Sequence, residues 1–128
     1  EINLALSARK QPKLEVGHII ESEKIKLGLF VFPDGKNPGD LEKLCLDTVS
    51  ENEIHIEASR FIDYAEQCAG GALSGSRFKR VAQVYLAGMK ASLSRGAGHG
   101  FRDGYFNKDH EALQPLLKFL QKIADLAS

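Results

Sequence analysis

The chain has 128 residues, 43% of them hydrophobic and 27% charged, which is the size and composition of one globular domain. Lysine and arginine number 17 together, as do aspartate and glutamate, so no net charge draws the chain to nucleic acid or an anionic membrane. No apolar run approaches the roughly 20 residues that a transmembrane helix needs, and the opening stretch EINLALSARK lacks the order of a secretory signal. With no signal and two cysteines, Cys45 and Cys68, we expect a cytoplasmic protein whose reduced thiols pack as small core residues.

The first third of the chain predicts a helix followed by two strands. Residues 1–9 have helical spacing, and because the pattern is already under way at Glu1, we expect residues 1–128 to be the carboxyl-terminal portion of a larger domain. LEVGHIIES (14–22) and EKIKLGLFVF (23–32) are predicted strands. The nearly continuous apolar run that ends at Phe32 is typical of strands covered on both faces in an α/β sheet.

Two turn clusters follow this apolar run, Pro33-Asp34-Gly35 and Asn37-Pro38-Gly39. Asp34 has two interpretations. It is either a turn residue or a metal or catalytic carboxylate, because ligands of open α/β sheets collect outside the carboxyl ends of strands. A carboxylate there can hold Mg²⁺ through one oxygen while water fills the other positions.

Four helices are predicted after these turns. The first begins near Asp40, the second covers 54–69 with Ser50 as its cap, the third covers 76–94, and the last begins near Asp109. Alternatively, the last helix starts nearer Gln114, with Pro115 at its first helical position. The predicted inward faces are Leu41, Leu44, Cys45 and Val49; Ile54, Ala58, Phe61, Ile62 and Ala65; Val81, Val84 and Tyr85; and Leu113, Leu116, Leu117, Leu120, Ile123 and Ala127.

Charge is distributed unevenly along these helices. Residues 40–66 contain eight acids and two bases, whereas residues 67–102 contain six bases and no acid. The basic block either contacts a phosphate backbone or packs beside the acidic helix and is neutralised by it. His99, between two glycines, is either a general base or phosphate contact or an exposed loop residue. The candidate residues for nucleic-acid or phosphate binding are Arg77, Lys79, Arg80, His99 and Arg102.

The stretch GLFVFPDGKNPGDLEKLCL resembles a family of uncharacterised prokaryotic proteins with a Toprim-like fold. The resemblance continues through RVAQVYLAG (80–88) and GYFNKDHEALQPLLKFL (104–120). It implies an α/β domain with a small, mostly parallel sheet that includes 15–21 and 26–32, flanked by about five helices.

The resemblance also implies a chemistry. Toprim domains hold Mg²⁺ with a Glu after one strand and an Asp-x-Asp pair after another, for phosphoryl transfer or hydrolysis on nucleic acids or nucleotides. This sequence has no such set, so the metal carboxylates are expected upstream of residue 1, and Asp34 does not replace them. The alternative is a non-catalytic interaction or structural module, in which helices 54–69 and 76–94 serve a partner or a homo-oligomer.

Overall fold

The computed structural model describes residues 6–7, 13–21, 26–89 and 96–126, and 55% of these described residues lie in helices. The elements are β1 (Ile19–Glu21), β2 (Lys26–Gly28), α1 (Leu41–Asp47), α2 (Glu53–Cys68), α3 (Arg77–Gly88), α4 (Ala97–Arg102), a 3₁₀ turn (Glu111–Leu113) and α5 (Gln114–Asp125). Of the helix predicted over 1–9, only residues 6–7 are described, and both are helical.

The two strands form an antiparallel pair, so the predicted small, mostly parallel sheet of an α/β fold is wrong. Ile19 lies opposite Gly28, and Glu21 lies opposite Lys26, to which it forms an ion pair of 3.1 Å. Leu27 is 38% exposed, so the strand is not covered on both faces. The mostly helical chain with one two-stranded antiparallel sheet replaces the predicted architecture.

The apolar run beyond β2 has a different role from the predicted one. After a single bridge between Val16 and Leu29, the chain leaves the sheet, and Phe30 packs edge-to-face on Phe32 at 5.6 Å. Phe30 also lies 5.2 Å from Phe119 of α5, measured between ring centroids. The apolar residues therefore cover a helix at the far end of the sequence, and a short apolar run does not by itself distinguish this arrangement from a buried strand.

Polar side chains begin the helices. Asp40 accepts the backbone N–H of Lys43 at 2.8 Å and caps α1, and Ser76 caps α3. The predicted Ser50 cap of α2 is wrong: Asn52, two residues later, accepts the N–H of Ile54 at 2.9 Å. Asparagine and serine are comparably good caps, so residue type did not separate the two positions. The predicted start of the last helix near Asp109 is wrong, because His110 caps a 3₁₀ turn there. The alternative start at Gln114, with proline in the first turn, is confirmed.

The core lies around α3, which packs against α1 and α2. Tyr85 is fully buried on α3 and its hydroxyl donates to the carbonyl of Tyr105 at 2.6 Å. Phe106 lies 5.6 Å from the Tyr85 ring, and a Cβ on Gly100 of α4 would meet Phe106 at 2.5 Å. Glycine at position 100 therefore allows α4 to approach the aromatic core.

Some predicted inward residues face solvent. Phe61 on α2 is 57% exposed, while Ala58 and Ile62 carry that helix's buried face. Leu117 and Leu120 of α5 are about half exposed, because α5 is anchored mainly through Phe119. Both cysteines are free thiols, and Cys45 is buried as expected, whereas the prediction of a buried Cys68 is wrong. Among the residues that the structure describes, no helix is long and apolar enough to span a bilayer.

Candidate functional site

Asp34 is held by its own turn. Its Oδ1 accepts the backbone N–H groups of Lys36 at 2.9 Å and Asn37 at 2.8 Å, and its Oδ2 accepts the side-chain amide of Asn37 at 2.6 Å. These donors stabilise the carboxylate, chiefly through the Asn37 backbone, and lower the pKa of Asp34 to about 2. The carboxylate is therefore ionised at neutral pH, and its hydrogen bonds are those of a turn residue.

Asp34 also lies beside a cleft of about 740 Å³. The cleft runs between the 33–37 turn, α1, and the segment from the 3₁₀ turn to the start of α5. Its lining residues are Pro33, Asp34, Asn37, Lys43, Leu44, Asp47, Ser50, His110, Glu111, Ala112, Gln114 and Pro115. We call this feature the 34–111 cleft.

Charged side chains that the sequence analysis did not group meet in the 34–111 cleft. Lys43 contacts both oxygens of Asp47, at 2.8 and 3.1 Å, one helical turn away on α1. His110 uses Nδ1 to accept the backbone N–H of Ala112 at 3.2 Å and so caps the 3₁₀ turn. The spacing of Lys43 and Asp47 was a visible signal, whereas nothing local in the sequence brings His110 to α1.

The described residues do not form the magnesium site that the resemblance implies. Across residues 6–7, 13–21, 26–89 and 96–126, no group of three or more His, Cys, Asp or Glu side chains is placed to hold a metal ion. A divalent ion beside Asp34 therefore needs ligands from outside this part of the chain.

The five candidate phosphate-binding residues do not form one cluster. Arg77, Lys79 and Arg80 lie in the first turn of α3, and His99 and Arg102 lie on α4. α4 packs near Leu86, since a Cβ on Gly100 would meet that side chain at 3.1 Å. Residues 77 and 86 are about 13 Å apart along a helix axis, so the structure gives two basic groups along α3.

Three of these five side chains already have partners. Arg77 pairs with Asp63 of α2 at 2.5 Å, and Arg102 pairs with Asp103 at 2.8 Å. Arg80 donates to the carbonyl of Ser74. The Arg77–Asp63 pair joins the basic helix to the acidic one, which supports the packing interpretation for Arg77.

Lys79 and His99 remain exposed, with no side-chain partner among the described residues. They are the two candidates most available to a phosphate group. Lysine supplies a mobile charge with three donors, and histidine supplies a ring N–H.

Comparison with known proteins gives one family. The model of the family described as "Protein of unknown function (DUF3226)" matches residues 2–125. Neither the curated proteins nor the solved structures include a match to this chain.

Proposed function

The chain belongs to the DUF3226 family, and we propose that it supplies a nucleic-acid contact surface for Mg²⁺-dependent phosphoryl transfer or hydrolysis. In this proposal the metal carboxylates are not among the described residues. The sequence motifs that this chain shares with Toprim-like prokaryotic proteins support the proposal. The parallel sheet of those proteins is not part of the proposal, because the fold of this chain contradicts it.

The observation that carries the proposal is the exposure of Lys79 and His99 within an acid-free stretch. Residues 67–102 contain no Asp or Glu, so no carboxylate within that stretch neutralises these two side chains. The nearest acids to the basic helix come from other elements, and Asp63 is already paired with Arg77. Lys79 is an exposed, unpaired cation of the kind that releases counterions when it meets phosphate, and His99 adds a ring N–H donor.

The separation of the basic groups favours a polynucleotide over a single nucleotide. Residue 86, which marks the position of α4, lies about 10 Å along α3 from Lys79. That length corresponds to roughly three phosphates of one strand at about 3.4 Å each. A mononucleotide presents its phosphates too close together to reach both groups.

The proposed function is exercised in the cytoplasm. Both Cys45 and Cys68 are free thiols, which is typical of a reducing compartment. The described chain supplies the phosphate contacts, and the metal chemistry belongs to carboxylates outside it.

The test uses a polypeptide extended at its amino end. We expect it to bind Mn²⁺ or Mg²⁺ by calorimetry and to bind or cleave a polynucleotide with an affinity that falls as salt rises. Absence of both metal binding and salt-dependent affinity contradicts the proposal. In the same polypeptide, Asp34→Ala is expected to leave metal affinity unchanged, because its oxygens are used by the turn. Loss of metal binding in that variant assigns Asp34 to the metal instead.

A second candidate function is a non-catalytic interaction module, and one observation favours it. Phe61 and Tyr64 are 57% and 65% exposed, one turn apart on α2. Two neighbouring exposed aromatic side chains are a common feature of protein interfaces. Sedimentation equilibrium tests this function: a stable dimer with α2 protected from hydrogen exchange supports it, and a monomer with an unprotected α2 contradicts it for self-association.

A further inference from the structure

Apolar and charged side chains both line the 34–111 cleft. Leu44, which is 1% exposed, and Pro33 are its buried apolar residues, which we call its floor, and Pro115 is partly buried. A volume of about 740 Å³ lies in the range of small-molecule sites. An apolar surface at the base of such a cleft suits the methylene or ring portion of a ligand.

Negative charge exceeds positive charge around this cleft. The three carboxylates are Asp34, Asp47 and Glu111, and the one ammonium is that of Lys43. His110 Nδ1 is already occupied, because it accepts the backbone N–H of Ala112 at 3.2 Å. The cleft therefore repels phosphates and attracts cations, in contrast to the basic groups along α3.

Some acceptor atoms of the cleft already accept hydrogen bonds or ion-pair contacts, and others do not. Both oxygens of Asp34 and both oxygens of Asp47 accept hydrogen bonds or ion-pair contacts. The side chains of Ser50, Glu111 and Gln114 make no hydrogen bond to any other described residue. Glu111 is thus the carboxylate that is free to meet a ligand, with a hydroxyl and an amide carbonyl as neutral acceptors.

From these features we infer that the 34–111 cleft binds an alkylammonium group, with Glu111 as its counter-ion and the floor at Leu44 and Pro33 against its methylene chain. An ammonium donates three hydrogen bonds to separate acceptors, whereas a guanidinium needs a coplanar pair of acceptors. The ammonium chemistry is shared by two sources, a free diamine and a lysine side chain of another protein. This inference is independent of the nucleic-acid proposal, since it uses a different surface.

The experiment titrates the ¹⁵N-labelled chain with 1,5-diaminopentane, with Nα-acetyl-lysine amide, and with the neutral isostere Nα-acetyl-norleucine amide. We expect at least one of the two amines to shift the amide resonances of Ser50, Ala112 and Gln114, and we expect the norleucine compound to leave them unchanged. Binding of the diamine alone identifies a free amine as the ligand, and binding of the lysine compound alone identifies a protein side chain.

Glu111→Gln keeps the size of the side chain and removes its charge, and we expect it to weaken amine binding about tenfold. Glu51→Gln is the matched control, since Glu51 is exposed and lies outside the lining of the cleft. The inference is overturned if neither amine binds at millimolar concentration, if the norleucine compound binds equally well, or if Glu51→Gln weakens binding as much as Glu111→Gln. Circular dichroism of both variants verifies that the helices remain.

Discussion

Asp40→Ala is expected to destabilise two helices at once. The Oδ1 of Asp40 accepts the N–H of Lys43 at the start of α1, and its Oδ2 accepts the hydroxyl of Ser76, which itself caps α3. Loss of an N-cap costs about 1 kcal/mol, and loss of a hydrogen bond to a charged acceptor costs about 1.5 kcal/mol at the partly exposed end of its range. Because the two losses share one side chain, we expect the free energy of unfolding to fall by about 2 kcal/mol.

Urea unfolding followed by circular dichroism measures this change. Asp109→Ala is the control, because Asp109 is exposed and its side chain has no partner among the described residues. A double-mutant cycle with Ser76→Ala should give a coupling energy of about 1 kcal/mol between positions 40 and 76. The reasoning is refuted if the two substitutions add within about 0.3 kcal/mol, or if Asp40→Ala costs no more than Asp109→Ala.

Three further predictions concern other parts of the molecule. Gly100→Ala should lower the free energy of unfolding by about 1–3 kcal/mol, because its Cβ would meet Phe106 at 2.5 Å; Gly98→Ala, with open space around its Cβ, should cost nothing in the same urea experiment. Phe61→Ser should change stability by less than about 0.5 kcal/mol, because the side chain is 57% exposed, and a larger loss in thermal unfolding shows a hidden core contact. The stability advantage of the natural chain over Asp34→Ala should be constant above pH 3.8 and should shrink towards pH 2. The sign follows from a folded pKa below the unfolded one, and an advantage that grows in acid contradicts it.

Helices were predictable from this sequence because their signals are local. Ser76 stands directly before a run with helical spacing, and Pro115 marks the first turn of α5. Ser50 and Asn52 carried nearly equal capping signals, and the choice between them depends on backbone geometry that residue type does not encode. The predicted helices exist with shifted boundaries, and the helix predicted over 76–94 ends at Gly88 in the described residues. The short helix α4, which carries His99, was not predicted.

The two strands were predicted, since β1 and β2 lie within 14–22 and 23–32. The cover of the apolar run and the cleft were not predictable, because both depend on distant contacts. Phe30 in the apolar run packs against Phe119, which lies about ninety residues later in the chain. Hydrophobic periodicity does not reveal which element will pack against such a run. His110 and Glu111 reach α1 in the same way, so the acidic character of the cleft appears only in the folded chain. The turn at Asp34 was predicted from the sequence. Whether Asp34 is also a metal carboxylate depends on further ligands, which local sequence does not reveal.

The most direct test of the central claim is the salt dependence of polynucleotide binding. Fluorescence anisotropy with a labelled single-stranded oligonucleotide gives the slope of log K against log salt, and each phosphate contact adds about 0.7 to that slope. We predict that Lys79→Gln reduces the slope by about that amount and weakens binding equally for different sequences. Lys118→Gln, which removes the same charge from an exposed position on α5, should leave the slope unchanged. The claim is contradicted if the natural chain binds with no salt dependence, or if the two variants behave alike.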